Sequence, residues 1–555
     1  MNEQLVMSAA ALGLLAWLLP KTQQRLELSR AKHRSLAGHS RLAKRIASMI
    51  PGYAYGEEEF FGSDGAGSEV VKQRRTAFAA LCADFDRRYA KSAEATAQAR
   101  QYLPDLQFTG NYRVPFQYSP YLRQHLRIGS FVQSSHDVFV QDLDGNAFYD
   151  LTGSYGVNLL GYDFYKQCIE EGMAMVRELG PVLGNYHPCV LENVRELRQI
   201  SGLDEVTFHM SGTEAVMQAV RLARYHTGRS HLVRFAGAYH GWWEDVQPGP
   251  GNPLPPGKTY TLAEMSDRSL KVLRSRRDIS CVLINPLQAL HPNGGAPGDS
   301  SLVDSSRRAQ FDRAAYTQWL QKLRQVCTER GIALIFDEVF VGFRLAPGGA
   351  QAYFGVQADM VTYGKTLGGG LPVGVVCGQR QWMKRFREDR PADICFARGT
   401  FNAHPYVMGA MCAFLRRIKT PQVQALYEGL DARWNERAQR LNQQLEQADL
   451  PVRVANLSTI WTVLYTEPSR YNWMFQFYLR QQGLALSWVG SGRLIFSLNY
   501  DDAHFEAVVQ RFVHAGRKMR ENGWWHGDPG LSNKSIKRSI FREMLSRRNA
   551  RVAPS

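Results

Sequence analysis

Three short stretches place a polar, reactive side chain directly after an apolar run. In "MVTYGKTLGGGLPVG" Lys365 stands between apolar residues and a glycine cluster, and in "ALIFDEVFVGFR" four apolar residues lead to Asp337. In "HMSGTEAVMQAVRLARYHTGR" an apolar run ends before Ser211, Gly212 and Thr213, which open a helical pattern. An amine, a carboxylate and a helix N-terminus therefore follow three predicted strands.

These three groups suit one kind of cofactor. A buried lysine is disfavoured as an ammonium ion, so its amine is available to react with a carbonyl. An aspartate at the carboxyl end of a parallel strand points into the crevice where α/β proteins bind ligands, and it can keep a heteroaromatic nitrogen protonated. A helix N-terminus with Ser and Thr hydroxyls binds phosphate. We therefore predict pyridoxal 5'-phosphate, held as a Schiff base on Lys365.

Each of these residues also has a simpler interpretation. Taken alone, Lys365 could be a surface loop lysine and Asp337 a turn residue. Ser211 and Thr213 could simply cap a helix. Several motifs in a fixed order along the chain favour the cofactor over these separate explanations.

The elements that must position these groups follow a regular pattern from about residue 104 onward. The segment 137–151 alternates apolar and polar residues around Asp144-Gly145, which predicts a hairpin. Short apolar runs then alternate with helix-length patterns, which predicts an α/β fold with a mostly parallel sheet covered on both faces. The predicted strands are "EVTFHM", "HLVRFAG", "CVLINPL", "ALIFDEVF", "ADMVTYG" and "GVVCG".

The chain divides into five predicted parts. The divisions are a candidate membrane anchor (1–20), a basic helical extension (21–103), a large cofactor-binding domain with its N-terminal segment (104–414), a small α+β domain (415–526) and a basic tail (527–555).

The first part carries the prediction of localisation. Leu5 to Leu19 form a run of 15 weakly polar to apolar residues, and the positive charges follow it from Lys21 onward. By the positive-inside rule this pattern predicts an uncleaved N-terminal anchor with the catalytic domain in the cytoplasm, although the run is shorter than a comfortable membrane span. The alternative is an apolar helix that docks on the protein or mediates dimerisation.

Composition limits the function classes. The chain has 555 residues, 44% hydrophobic and 21% charged, as in globular proteins, and a formal net charge of +16. Residues 1–103 hold 15 Lys and Arg against 10 Asp and Glu, and residues 527–555 hold 7 against 2. These basic ends predict contact with a membrane surface or an acidic carrier protein. No nucleic-acid-binding motif is present, and the eight cysteines lack the spacing of a disulfide framework or a metal site.

Taken together, the motifs resemble a known family. In order, "SGTEA", "YHG", "DEV" with "GFR", "GK" with "GGG" and "PVG", and a later "GT" resemble the class III (fold type I) pyridoxal-phosphate aminotransferases, and most closely the glutamate-1-semialdehyde 2,1-aminomutase group. The resemblance covers roughly residues 104–526. It implies a mostly parallel large domain, a smaller C-terminal domain and a homodimer with shared active sites.

The resemblance also implies roles for individual residues. Lys365 would form the Schiff base and move the proton, and Asp337 would face the pyridinium nitrogen. Tyr239 would stack on one face of the ring and Val339 would pack on the other. The remaining positions would bind the cofactor phosphate or line the substrate pocket: Ser211, Gly212, Thr213 and, from the neighbouring subunit, Thr400 for the phosphate, and Tyr155 for the substrate.

Departures from the family pattern concern the substrate. The Ser-x-Val-Arg element that engages the substrate carboxylate in the aminomutase group is not found in "NYRVPFQYSPYLRQHL", and the usual Glu-Pro is Asn285-Pro286. We therefore predict amino transfer from a small-molecule donor to an aldehyde or ketone, with a hydrophobic or carrier-bound substrate of lipid or specialised metabolism. Three alternatives stay open: an aminomutase, a decarboxylase or racemase that uses the same cofactor, and a non-catalytic scaffold with the same fold.

Overall fold

The computed structural model describes residues 3–112, 114–247, 249–254, 257–293, 305, 307–486, 492–527 and 530–546, and only the backbone of 3–15 and 110–112. Its helices are α1 (Glu3–Ala31), α2 (Ser40–Met49), α3 (Glu57–Gly62), α4 (Ser68–Arg88), α5 (Ala90–Arg100), α6 (Pro104–Tyr112), α7 (Ser119–His125), α8 (Tyr162–Val176), α9 (Cys189–Ser201), α10 (Gly212–Thr227), α11 (Asp267–Ser275), α12 (Arg313–Arg330), α13 (Gly349–Phe354), α14 (Arg380–Met383), α15 (Pro405–Arg417), α16 (Pro421–Ala425), α17 (Leu430–Gln447), α18 (Phe475–Gln481), α19 (Asp502–Glu521) and α20 (Asn533–Ser546).

The strands build three main sheets within the described residues. They are β1 (Val132–His136), β2 (Phe139–Asp142), β3 (Ala147–Asp150), β4 (Glu205–His209), β5 (His231–Phe235), β6 (Thr259–Leu262), β7 (Ile279–Ile284), β8 (Ala333–Asp337), β9 (Met360–Gly364), β10 (Gly374–Gly378), β11 (Phe386–Arg387), β12 (Arg390–Ile394), β13 (Val452–Leu457), β14 (Ile460–Tyr465), β15 (Leu484–Ala485) and β16 (Arg493–Ile495). The central sheet has the order β4-β10-β9-β8-β7-β5-β6, with β10 antiparallel to both neighbours and the other pairs parallel. The predicted α/β fold is confirmed.

The central strands are buried on both faces, which explains their continuous apolar sequences. Every residue of β7, β8 and β9 is buried. One face is covered by α10, whose Ala215, Val216 and Ala219 belong to the same core cluster as Leu283 and Ile335 of the strands. A parallel sheet needs such helices on both faces, so the strands do not show the alternation of a half-exposed sheet.

The predicted hairpin is present, because β2 pairs with β3 in antiparallel register around residues 143–146. A second antiparallel sheet, β13-β14-β16, belongs to the C-terminal part of the chain and is flanked by α17 and α19. The short strand β6 at the edge of the central sheet was not predicted, since its sequence "TYTL" follows directly on a Pro/Gly-rich loop.

The predicted membrane anchor is wrong. Among the described residues, no helix is both long enough and apolar enough to cross a membrane. The reason lies in α1, which does not end at Pro20 but continues into the charged segment up to Ala31. This second half lies against α11, where Glu27 pairs with Lys271 at 3.0 Å. The carbonyl of Ala31 also accepts a hydrogen bond from the amide of Ala263, before α11, at 2.8 Å.

The N-terminal extension and helix α20 meet at one buried arginine, Arg470. Its guanidinium pairs with Glu543 of α20 at 2.6 Å and donates to the hydroxyl of Tyr55 at 2.5 Å and to the carbonyl of Ser63 at 3.1 Å. Residues 533–546 of the predicted basic tail are thus a helix packed on the protein, with Ile536 buried. A fully buried guanidinium requires charged and polar partners, which explains why α20 packs against Arg470.

Candidate active site

One cavity of about 490 Å³ lies at the edge of the central sheet where β4, β8 and β9 end and β10 begins. The register brings these ends together, because Gly374 pairs with both His209 and Gly364. Seven of the predicted site residues line it: Ser211, Gly212, Thr213, Tyr239, Asp337, Val339 and Lys365. The volume is in the range of small-molecule sites.

Lys365 follows the last residue of β9 and has a φ of +43°, a left-handed conformation that is uncommon outside glycine. Burial lowers the pKa of its amine, and the charges of Arg344 and Arg493 lower it further, while the charge of Asp337 acts in the opposite direction. A larger fraction of the amine is therefore neutral than for an exposed lysine, and the neutral form is the nucleophile and proton acceptor.

Asp337 ends β8, and three donors hold its carboxylate in place. One oxygen accepts hydrogen bonds from the amide of Val339 and the hydroxyl of Thr362, both at 3.2 Å. The other lies 2.8 Å from Nδ1 of His240, which must be the donor because a carboxylate only accepts. Burial lowers the pKa of His240, so its ring is a neutral positioning group. This arrangement fixes a carboxylate that faces the cavity.

The N-terminus of α10 forms the third part of the site. Ser211 is the N-cap of α10 and accepts a hydrogen bond from the amide of Glu214 at 3.2 Å. Ser211 therefore caps the helix, as the simpler interpretation predicted. Ser211, Gly212 and Thr213 all line the cavity, and the first amides of a helix have no acceptor within the helix. A Cβ on Gly212 would lie 2.6 Å from Val339, and one on Gly241 would lie 2.4 Å from the Thr213 hydroxyl. Only glycine permits these close approaches.

Tyr239 and Val339 lie on the cavity wall, whereas two predicted residues do not. Tyr239 is 60% exposed, and partial burial, followed by the charge of Asp337, raises its pKa. Tyr155 and Thr400 are exposed and are not part of the cavity wall formed by this single chain. Their assignments to the substrate pocket and to a neighbouring subunit stay predictions.

Three residues of the site were missed by sequence reasoning. His240 stands within the quoted motif "YHG", and Phe340 stands within the segment between "DEV" and "GFR", so the motifs already contained the signal for both. Arg493, the first residue of β16, also lines the cavity. The only sequence signal for Arg493 is a charged residue before the apolar run "LIF", which is common at strand ends.

The residues present fit pyridoxal 5'-phosphate. A glycine-lined helix N-terminus suits the phosphate, the fixed Asp337 carboxylate suits a pyridinium nitrogen, and the buried amine of Lys365 suits an aldehyde. All three open into the same cavity. The individual roles of these residues stay predictions.

Comparisons with known proteins agree with this geometry. The family model for class-III aminotransferases matches residues 121–244 and 312–515. Glutamate-1-semialdehyde 2,1-aminomutase of Alkaliphilus oremlandii is 34% identical over 313 residues, which is 53% of this chain and 68% of the relative. The enzyme of the same name from Methanocaldococcus jannaschii is 30% identical over 403 residues, which is 69% of this chain and 85% of the relative.

A solved structure described as a transaminase with PLP bound is 26% identical and superimposes with a TM-score of 0.62, covering 78% of this chain and 99% of that chain. The matched fold supports the predicted fold type I architecture. Because the family model spans more than half of the sequence, the chain belongs to the class-III aminotransferase family.

Proposed function

We propose that this enzyme transfers an amino group from a small-molecule donor to an aldehyde or ketone. Its cofactor is pyridoxal 5'-phosphate, as the motifs predicted, and a solved relative carries this cofactor. The observation that supports the proposal most directly is the pair Lys365 and Asp337 at the ends of two adjacent parallel strands of one cavity. The same pair disfavours a non-catalytic scaffold, which has no use for a buried amine.

The residues divide the chemical work. When bound, pyridoxal phosphate supplies an electron-withdrawing ring that weakens the bonds at the amino-bearing carbon of the substrate. Asp337, oriented by His240 and Thr362, would keep the ring nitrogen protonated. The neutral amine of Lys365 would accept a proton at Nζ and return it at the neighbouring carbon. The N-terminus of α10, with Ser211 and Thr213, would hold the phosphate.

The proposal includes a homodimer. Thr400 is exposed and lies away from the cavity of its own chain, as a residue that completes a partner's site would be. Large apolar side chains are exposed in the same part of the sequence, including Phe396 at 66% and Phe401 at 50%. Exposed aromatic residues of this kind are typical of subunit interfaces. Sedimentation of the wild type and of a Phe401→Asp variant would test the dimer.

The prediction of a hydrophobic substrate rested on the membrane anchor and loses that support. The wall of the cavity instead carries the guanidinium of Arg493. The hypothesis of an acidic carrier protein rests only on the basic ends of the chain and stays a prediction.

An aminomutase is the second candidate, because the curated relatives of about one-third identity carry that name. The two functions differ in whether an external amino donor is consumed. We expect the visible absorption of the bound cofactor to change with an external amino acid, and the donor nitrogen to appear in a carbonyl acceptor. Isomerisation of one substrate without donor consumption would contradict the transferase proposal and establish the aminomutase.

A further inference from the structure

The segment 236–241, which follows β5, carries two residues of the candidate site, Tyr239 and His240. We call this segment the β5 loop. Strand β5 ends at Phe235, and a backbone carbonyl beyond the end of a strand needs a donor from elsewhere. Tyr239 is 60% exposed, so the surrounding atoms cover less than half of it. The position of its ring therefore depends on what holds the backbone of the β5 loop.

Two side chains from the segment after β7 hold the β5 loop. Nδ2 of Asn285 donates a hydrogen bond to the carbonyl of Tyr239 at 3.1 Å, and Nε2 of Gln288 donates to the carbonyl of Ala236 at 2.8 Å. Both side chains are buried. Strands β5 and β7 are parallel neighbours, so the segments that follow them leave the sheet side by side. Side chains of one segment thus fix the backbone of the other.

The orientation of the Asn285 amide follows from its two partners. Oδ1 accepts a hydrogen bond from the amide of Leu287 at 3.1 Å and so caps the helical turn Pro286–Leu290. A backbone amide only donates, so the atom that faces it is the oxygen of the side chain. The NH₂ group must then face the carbonyl of Tyr239, which only accepts. Asn285 is therefore a bridge between a helix cap and the β5 loop.

An ionised acidic side chain could not form this bridge. This chain has Asn285-Pro286 where the aminotransferases that it resembles usually have Glu-Pro. A carboxylate has no donor, so beside the carbonyl of Tyr239 it would place two acceptors against each other. The amide of Asn285 thus gives this chain a contact that an ionised glutamate cannot provide.

We propose that Asn285 is a positioning residue, which holds the backbone of Tyr239 so that the tyrosine ring lies against the cofactor. The contact between this ring and the cofactor rests on the function proposed above. Asn285 and Tyr239 line the same cavity. The next residue is His240, whose ring donates to Asp337 at 2.8 Å. A shift of the β5 loop would therefore move the tyrosine ring and disturb the carboxylate as well.

Two substitutions separate the bridge from the helix cap. Aspartate and serine are both good N-cap residues, so each keeps an acceptor for the amide of Leu287. Asn285→Asp replaces the donor to the Tyr239 carbonyl by an acceptor of the same shape, and Asn285→Ser removes it. Asp312→Asn is the matched control, because it makes the reverse exchange at an exposed residue that caps α12.

Hydrogen exchange of the cofactor-free protein measures the β5 loop independently of activity. The amides of Ala236 and Ala238 are hydrogen-bonded, so their exchange reports opening of the loop. We expect this exchange to be about fivefold faster in Asn285→Ser and more than about tenfold faster in Asn285→Asp, because one hydrogen bond is lost and the aspartate adds repulsion. Asp312→Asn should exchange like the wild type in this loop. Wild-type exchange in both Asn285 variants would overturn the proposal.

A double-mutant cycle tests whether Asn285 acts through Tyr239. Pyridoxal 5'-phosphate is titrated into the cofactor-free protein, and we expect Asn285→Asp to raise its Kd about tenfold. In a Tyr239→Ala background the same substitution should raise the Kd by less than about threefold, because the ring that Asn285 positions is gone. Equal effects in the two backgrounds would show that Asn285 does not act through Tyr239, and would overturn the proposal.

These measurements distinguish failure of the positioning role from failure of the proposed function. If no amino transfer is found, but loop exchange rises and the effect on Kd depends on Tyr239, the proposed function fails and the positioning role stands. If amino transfer occurs and Asn285→Asp keeps the loop exchange and cofactor affinity of the wild type, the positioning role fails and the proposed function stands.

Discussion

Two charged regions of the molecule differ in how their charges are balanced. Around the cofactor groups, Lys365 faces the charge of Asp337, and Asp337 accepts hydrogen bonds from three donors. Around Arg493, on the cavity wall, and Arg307, which is not part of that wall, no carboxylate of the described residues contributes an opposing charge. Opposite charges that face each other stabilise one another, whereas buried like charges repel.

Removing a group from the balanced region should reduce the rate, because the remaining groups were arranged around it. Removing a group from the unbalanced region should mainly change the stability of the protein.

The largest effect is expected from Lys365→Ala. The variant loses the amine that binds the cofactor and moves the proton, and we expect activity to fall by about 10³-fold or more. Cofactor absorption and kcat, measured on the same preparation, check this. Lys322→Ala, at an exposed helix position, should leave both unchanged. Activity within tenfold of the wild type would show that Lys365 is not the reactive amine.

A smaller loss is expected from Asp337→Asn. The amide keeps the size of the side chain but removes the negative charge and reverses one hydrogen bond, so we expect kcat to fall by about 10²- to 10³-fold. The control is Asp389→Asn, whose side chain is 76% exposed. If Asp337→Asn changes only KM, the carboxylate does not act on the cofactor ring.

The third prediction concerns stability in acid. The pKa of His291 is lowered from 6.5 to about 3, so between these values the unfolded chain binds a proton that the folded chain does not. Stability should therefore be highest above about pH 6.5 and fall on acidification, with His291 contributing up to about 1.4 kcal/mol per pH unit. Urea unfolding across this range should show a shallower acid loss for His291→Gln.

The matched control for this experiment is His514→Gln, since His514 is exposed on α19. Its acid profile should coincide with that of the wild type. Identical acid profiles for His291→Gln and the wild type would show that His291 takes up its proton in the folded protein.

The smallest effect is expected from Thr362→Val, which keeps the shape of a buried residue and removes one of the three hydrogen bonds to Asp337. We expect kcat to fall about two- to tenfold, because two donors continue to hold the carboxylate. Thr328→Val, at an exposed helix position, is the control. A loss as large as that of Asp337→Asn would show that the three donors act only as a unit.

The cofactor groups could be predicted from the sequence because each is tied to a local pattern. An apolar run with a polar residue at its end predicts a strand and its carboxyl terminus, and parallel strands bring such termini to one edge. The assignment of Lys365, Asp337 and Ser211 to one site therefore required no knowledge of distant contacts. His240 was within a quoted motif and needed only its hydrogen bond to Asp337 to be assigned.

The neighbourhood of His291, Arg307 and Arg493 could not be predicted in this way. His291, Arg307 and Arg493 are far apart in the sequence, and no periodicity links a residue after β7 to the first residue of β16. The N-terminal helix shows the opposite error, where a local pattern was given too much weight. Fifteen weakly polar to apolar residues predicted an anchor, but the contacts of Glu27 and Ala31 depend on Lys271 of α11 and on Ala263, more than 200 residues away.

Arg470 has a consequence for how the polypeptide is made. The residue is buried between Tyr55, in the N-terminal extension, and Glu543, in α20. During synthesis Arg470 leaves the ribosome before its carboxylate partner exists, so its guanidinium cannot yet be buried at low free energy. We therefore expect the N-terminal extension to stay loosely attached until α20 has left the ribosome. The N-terminal extension and α20 should then pack against Arg470 in one step.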